Sequence, residues 1–396
     1  MHNRHDPEEV VHRTGPEVTQ IRLLCVYPGM TTFPAPRTFR QSASTTRLKA
    51  EQPGDLLGVL PYLLGYHPEE SVVMAVVREK SIDVCVRIDL DAEPRPVVDR
   101  FVGIAEAHAA DGVLLVAYSA DPDRADRLLA PLIDGLDAGI GVIDALYADG
   151  RRWWSRTCRG SCCPTEGTPY EIDTSRLAAE AIYAGMSTLP TRSDIARQVD
   201  GPDPQTARRL EPMAERIAVE VLSEPVPVRR RWLRDFIGKY VRQRSRGRQV
   251  ELEDEDLLRL GCLAVDLLVR DQAWSMITRE SAAIHVELWQ QVVTRAVSML
   301  APPALCLLGM AAWINGEGTL QVCCLERARE IDPDYTMTDV LADLNDRAVP
   351  PWMWNDLRPE LCRALEDQAG AIAGGRRSGK PPDWSTPWSR KRQPRA

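Results

Sequence analysis

The sequence predicts an α/β domain followed by an all-α domain that contains one helical hairpin. Three observations carry this reading. Between Val72 and Tyr147, apolar runs and alternating segments of strand length are separated by segments with helical spacing. Beyond Thr174 every periodic segment is helical. Near the C-terminal end two helical segments are joined by a short Gly-containing turn at Asn315-Gly316-Glu317-Gly318.

The elements follow in order. Leu56 to Leu64 reads as a short helix, with Asp55 placed to cap it and Gly65 to end it. Val72 to Val77 is a continuous apolar run, as in a strand buried on both faces. Ile82, Val84, Val86, Ile88 and Leu90 alternate with polar residues, which predicts a strand with one wet face, hairpinned to the first. Val97, Phe101, Ile104, Ala105 and His108 recur at helical spacing, and Gly112 to Tyr118 is a third strand. Asp121-Pro122 opens a helix with a capping carboxylate and a proline at its first position; Ala125, Leu128, Leu129, Leu132 and Leu136 form its buried stripe. Ile140 to Tyr147 makes a fourth strand, and Asp149-Gly150 turns into a fifth. The result is a mixed sheet of about five strands with helices packed on it. Helices then occupy 175–184, 191–199 and 205–222, and after Pro225 and Pro227 one helix is lined by Trp232, Leu233, Phe236, Ile237, Tyr240 and Val241.

This divides the chain into a disordered leader (1–45), an α/β domain (46–173), a helical connector with a basic helix (174–250), an all-α domain (251–365) and a disordered basic tail (366–396). A start codon chosen too far upstream would account for the leader equally well.

The hairpin can be examined position by position. Leu305, Leu308, Gly309, Ala312, Leu325, Ala328 and Pro333 fall on the spacing of one tetratricopeptide-like unit, whose period is about 34 residues. Ala312 stands where that signature has an aromatic and Gln321 where it has a small residue, and the pattern does not recur cleanly. Solenoids need roughly three repeats. The hairpin is therefore either an ordinary helix pair or part of a partner-binding groove, with Leu305, Ala312, Trp313, Leu325 and Trp352 as its apolar face.

The formal net charge of -8 excludes non-specific nucleic-acid binding by the chain as a whole. No apolar run approaches the roughly 20 residues that span a membrane, and the N-terminus lacks the basic-then-apolar order of a signal peptide. The ten cysteines sit mostly in apolar segments, as small core residues do in a reducing cytoplasm.

Three segments together resemble the actinobacterial family called domain of unknown function 4192. They are Asp55-Leu56-Leu57 through Pro61-Tyr62-Leu63-Leu64-Gly65-Tyr66-His67-Pro68-Glu69-Glu70-Ser71-Val72-Val73, then Cys158-Arg159-Gly160-Ser161-Cys162-Cys163-Pro164-Thr165-Glu166-Gly167, and Ala311-Ala312-Trp313-Ile314-Asn315-Gly316-Glu317-Gly318 with Asp332-Pro333. The likeness covers residues 50 to 362. It implies an intracellular protein with an α/β front and a helical rear, and it assigns no catalytic residue.

Candidate chemistry is sparse. Cys158, Cys162 and Cys163 lie in one loop; three thiolates and a fourth ligand such as His67 would hold zinc, whereas a tight loop packed by small side chains, or a redox thiol, are the other readings. His67, Glu69 and Glu70 offer acid-base groups beside Ser71, but sequence neighbours on a strand point to opposite faces, so a helix-to-strand turn with a capping serine competes. Gly374 to Lys380 nearly matches a P-loop, yet Pro381 replaces the magnesium-binding hydroxyl. The Arg229–Arg248 helix, with Arg230, Arg234, Arg242 and Arg246, is either a solvated face beside the acidic run Glu251–Asp256 or a contact for nucleic acid. The basic tail interleaves Trp384 and Trp388 with arginine and lysine. The leading expectation is an interaction or adaptor protein with a protein partner. The alternatives are an enzyme or small-molecule-binding protein with its site in the α/β domain, and a nucleic-acid accessory protein.

Overall fold

A strand buried on both faces needs helices on both sides, and the computed structural model supplies them. It describes residues 21–24, 47–50, 53–158, 163–172, 175–297 and 300–373. Most of the leader, Cys162, the Gly374–Lys380 segment and the rest of the tail lie outside them.

Six strands form one mixed sheet in the order β4-β3-β5-β6-β7-β8: β3 is Ser71–Arg78, β4 Ser81–Asp89, β5 Gly112–Tyr118, β6 Val142–Ala148, β7 Arg152–Ser155 and β8 Thr168–Pro169. Only β5 and β6 run parallel, and the helix α3 (Pro122–Asp137) joins them. The β3–β4 hairpin turns through Glu79 and Lys80, both at positive φ, and the Asp111 carboxylate accepts the Glu79 amide. Thr168–Pro169 is the sixth strand; two residues ending in proline leave no pattern to read. A ribbon of β1 (Ile21–Leu24) and β2 (Arg47–Ala50) lies beside β4, so part of the leader is a strand.

Along β3 the two faces separate cleanly. Val72, Met74 and Val76 pack with α2 (Pro94–Ala107) and α3. Val73, Ala75 and Val77 pack with α1 (Pro53–Leu64) and α4 (Arg176–Tyr183). The caps largely follow the sequence: Asp121 accepts the amides of Asp123 and Arg124, Ser175 caps α4, and Thr191 with Asp194 forms a capping box on α5 (Arg192–Ala196). Asp55 is a correction. The helix starts at Pro53, so Asp55 lies in its first turn, buried, and approaches Arg176 at 3.7 Å.

The second cluster runs without interruption into the helical region. That region comprises α6 (Pro204–Ser223), α7 (Val226–Arg244), α8 (Asp254–Ala264), α9 (Leu267–Ser275), α10 (Ala282–Val293), α11 (Ala301–Asn315), α12 (Gly318–Ile331), α13 (Met337–Asp346) and α14 (Trp354–Ala373). The helical hairpin forms as α11 and α12. At Gly309 a Cβ would stand 3.4 Å from Cys324 Cβ, so the missing side chain lets the two helices close. All fifteen residues of α11 are buried, under α8, α9, α10, α12 and α13. Leu305 and Ala312 are thus interior packing residues rather than parts of an apolar groove.

Candidate functional site

Two segments far apart in sequence meet at one place. α1 stops at Gly65, whose φ of 82° reverses the chain. Tyr66 then bridges to Leu189, and the Leu189 amide donates to Gly65 O at 2.8 Å. Opposite, the turn after α11 is closed by Gly316 at φ 87°, and α12 begins beside it. Thr319 Oγ1 at the start of α12 donates to Leu64 O at 2.8 Å, stitching the α1 terminus to the hairpin.

Beside this stitch lies a cleft of about 1570 Å³. Residues 82–89 of β4 form one wall, and the facing wall runs from Trp313 to Leu325. α13 and the residues after it, up to Trp352, close one side; Arg279–Glu287 and Arg244 close another. Two carboxamides of the hairpin, Asn315 and Gln321, and one of α13, Asn345, line the cleft. Fully buried Gln321 donates to Leu341 O at 3.2 Å and accepts from Asn345 Nδ2 at 3.1 Å. Asn315 donates to the Glu317 carboxylate, while its Oδ1 has no partner. Burial pushes the Glu317 carboxyl up, and the Asn315 bond opposes that only in part.

Several charges of the cleft are matched to one another. Arg87 reaches Asp89 at 2.6 Å and the Glu69 carbonyl at 3.2 Å, Arg192 grips Glu326 at 2.8 and 2.7 Å, and Arg244 meets Glu287 at 2.8 Å. Burial also raises the Tyr66 phenol. His108, at the end of α2, bonds Asp83 of β4 through Nδ1 at 2.7 Å and Ala348 O through Nε2 at 2.8 Å. That hydrogen bond holds the Asp83 carboxyl below its usual range. Ala348 occupies the left-handed position after α13, at φ 47°; its own amide and that of Val349 bond back to Asn345 O and Leu344 O, the pattern of a Schellman ending. The ring of His108 therefore joins sheet and helical region, with both nitrogens engaged.

The residues singled out from sequence are distributed as follows. Trp313, Leu325 and Trp352 reach the cleft; Trp352 is 47% exposed at its rim. Trp313 is fixed by its Nε1 bond to Val349 O at 3.0 Å. Glu70 is structural: it accepts from Ser119 Oγ at 3.0 Å and pairs with Arg124 at 3.2 Å. Glu69 contributes its carbonyl, and the half-buried His67 donates its amide to Leu189 O. The Cys158 amide donates to Ser155 Oγ, within a knot where Asp144 accepts from Ser155 and Thr157 at 2.7 Å each. Next to it, Gly167 is required because a Cβ there would stand 2.4 Å from the Trp154 ring.

The shared zinc site does not fit this arrangement. His67 precedes Ser71, which pairs with Tyr118, level with Ala148 at the end of β6; the Cys158 loop is tied to Asp144, four residues earlier. Strand rise and the three intervening strand spacings put them roughly 20 Å apart, against zinc bonds of about 2 Å. Among the described residues, no group of three or more His, Cys, Asp or Glu can hold a metal ion. Cys163 is half-buried near this loop.

On α7, Arg230 is used internally, donating to Gln272 at 2.7 Å and to Leu365 O, whereas Arg234, Arg242 and Arg246 are exposed. Sequence reasoning named Trp352 but missed the carboxamides as a group, the Asp83–His108 pair, and Ala348 and Val349 after α13. Asn315 lay inside a quoted motif, Gln321 stood out only as a departure from the repeat signature and His108 only as part of a helical stripe; the others had no local signal.

Sheet, hairpin and cleft define an α/β–helical protein whose two parts enclose one large concave site. The chain belongs to the family described as domain of unknown function 4192, whose model matches residues 53–352. The match begins at the first residue of α1 and ends at Trp352, so it takes in all of the cleft lining but Asn355. No curated protein and no solved structure matches the chain. Among the described residues no helix is long and apolar enough to cross a membrane.

Proposed function

We propose that this chain is an interaction protein that takes an extended polypeptide segment of a partner into the cleft between β4 and the α11–α12 hairpin. The observation that carries this reading is the shape and chemistry of the cleft. At about 1570 Å³ it exceeds the roughly 300–1,000 Å³ of small-molecule sites. Eight consecutive residues of one strand run along it, opposite Asn315, Gln321 and Asn345. Gln321 is spent internally, which leaves the partnerless Asn315 Oδ1 and the half-buried Asn345 to meet the alternating groups of an extended backbone. The exposed indole of Trp352 supplies an apolar anchor at the rim. A reducing, cytoplasmic setting is supported by the burial of Cys262, Cys306, Cys323 and Cys324 as free thiols.

The test is selection of peptides from a displayed random library on the full chain, followed by affinity measurement on wild type and Trp352→Ala. Enriched peptides should lose about tenfold or more in affinity with Trp352→Ala. Failure to enrich any sequence, or equal affinity for the two proteins, would refute the reading.

A further inference from the structure

We propose that His108 is a proton-operated clasp: while both ring nitrogens carry hydrogen it holds the chain after α13 against the sheet, and loss of one proton frees that chain and the side of the cleft it forms. The clasp is a property of the chain alone; its effect on ligand binding rests on the cleft reading above.

Donors and acceptors around the ring decide its state. A neutral imidazole has one N–H and one lone pair, whereas an imidazolium has two N–H groups. His108 is buried, and each of its ring nitrogens has one partner. Nδ1 stands 2.7 Å from Asp83 Oδ2, and Nε2 stands 2.8 Å from Ala348 O. A peptide carbonyl only accepts, and so does an ionised carboxylate. The Asp83 carboxyl is held below its usual range, chiefly by this hydrogen bond, which favours the ionised form. Both bonds therefore exist together only when both nitrogens carry hydrogen. A ring with one proton serves one acceptor and turns a lone pair toward the other. The carboxylate keeps its bond, because charge-assisted hydrogen bonds are roughly twice as strong as neutral ones. The bond to Ala348 O is the one that breaks.

The charged groups on the elements around the ring can be named. Arg78 of β3 lies 4.0 Å from the Asp83 carboxylate, and Arg100 of α2 pairs with Asp346 of α13 at 3.0 Å. Arg347 pairs with Asp343 at 2.7 Å, and Asp111 accepts the Glu79 amide at 2.6 Å. Glu79, Lys80 and Glu106 are exposed. None of these groups belongs to a class that changes charge where histidine does.

What the clasp holds is one side of the cleft. Ala348, Val349, Pro350, Pro351 and Trp352 all line it. Ala348 is kept at φ 47°, in the left-handed region that a side chain disfavours, so a freed Ala348 has a more relaxed conformation to move to. The stretch is fixed at two other points. Trp313 Nε1 donates to Val349 O at 3.0 Å, and Trp354 Nε1 donates to Ile277 O at 2.8 Å. An indole N–H is a donor only, with no second protonation state to switch. The Arg100–Asp346 pair holds the end of α13 itself, so release is confined to the chain beyond it. The bond to His108 is thus the tie that a proton controls, four residues before the exposed indole of Trp352. It is complete below the midpoint of the ring and is lost as pH rises through it. His285 acts in the opposite sense, because its burial as the neutral form weakens the fold as pH falls.

The experiment is hydrogen exchange of the full chain from about pH 5 to about pH 8, read by mass spectrometry over residues 347–352 and corrected for the intrinsic rate at each pH. NMR of ring-labelled histidine gives the midpoint of His108, assigned by the loss of its signal in His108→Gln. The amides of Ala348 and Val349, bonded to Asn345 O and Leu344 O, should lose about tenfold in protection as pH rises, with the midpoint of the His108 signal. In His108→Gln the protection should be low and independent of pH. Asp83→Asn should lower the midpoint of ring and protection together by about one pH unit or more, which a merely structural ring would not do. It also carries the test if His108→Gln does not fold. Protection that ignores the His108 midpoint overturns the proposal, as does a Gln variant that keeps the wild-type pH dependence. So does an Asp83→Asn protein in which the ring midpoint moves and the protection does not follow. No ligand enters these measurements, so clasp and peptide-binding cleft can fail separately.

Discussion

Replacing glycine by alanine at two helical positions should move stability in opposite directions, and the structure gives the size of each effect. In an exposed helix interior the change is worth about 0.8–1 kcal/mol of added stability. Gly103 of α2 is such a position: it is exposed, and nothing lies within 4 Å of where its Cβ would be. Gly58 of α1 is buried, and its Cβ would fall 2.1 Å from Ser175 Oγ and 2.7 Å from Ser175 Cβ. Overpacking of this kind costs about 1–3 kcal/mol. Ser175 is moreover the cap of α4, its Oγ accepting the Ala178 amide at 3.3 Å, and losing a serine cap costs about 1 kcal/mol more. Subtracting the propensity gain leaves Gly58→Ala destabilised by roughly 1–3 kcal/mol, and Gly103→Ala stabilised by just under 1. Urea unfolding followed by tryptophan fluorescence measures both. A Gly58→Ala protein as stable as wild type, or more so, would refute the close approach of α1 and α4. Because α1 delivers Leu64 and Tyr66 to the cleft, the same variant should also weaken ligand binding.

Two further outcomes follow. Ala348→Gly should raise stability by roughly 0.5–1 kcal/mol: the left-handed conformation costs a non-glycine residue about 1–2 kcal/mol, partly offset by the greater freedom of glycine when unfolded. A lower melting temperature for this variant would contradict the Schellman ending that presents the Ala348 carbonyl to His108. His285 of α10 is 1% exposed with Nδ1 unpartnered, and burial lowers it to about 4 from 6.5. The unfolded chain therefore takes up a proton below pH 6.5 that the folded chain refuses, and stability is complete above that pH and falls as pH drops, by about 2 kcal/mol at pH 5. His285→Phe should flatten this slope; a variant with the full wild-type pH dependence would assign it to other groups.

The strands and most helices were legible because their signals are local. β3 reads as an unbroken apolar run, β4 as an alternation, and Asp121-Pro122 as a helix start. The helical hairpin was legible as well, but its environment was not weighed correctly. Ala301–Ile314 is apolar at every position, and a helix apolar all round is enclosed on all sides. That composition carried more information than the tetratricopeptide spacing that placed Leu305 and Ala312 on a binding face. The cleft was illegible for a different reason. Its walls come from β4, α11, α12 and the chain after α13, and its ties, Thr319 to Leu64 and His108 to Ala348, join residues 255 and 240 positions apart. No local periodicity encodes such a pair. The separation of His67 from the Cys158 loop was illegible similarly, because spacing in sequence did not reveal that a sheet stands between them.

One apolar interior extends from Ala50 through Leu177 and Leu308 to Leu365. The face of β3 that carries Val73 and the helices around α11 therefore solidify or melt as one cooperative unit, and cutting the chain between sheet and helices would expose to water surface that each half needs the other to cover. A change in packing deep among the helices is felt at the sheet, and the cleft between them opens or narrows only as far as their common interior yields.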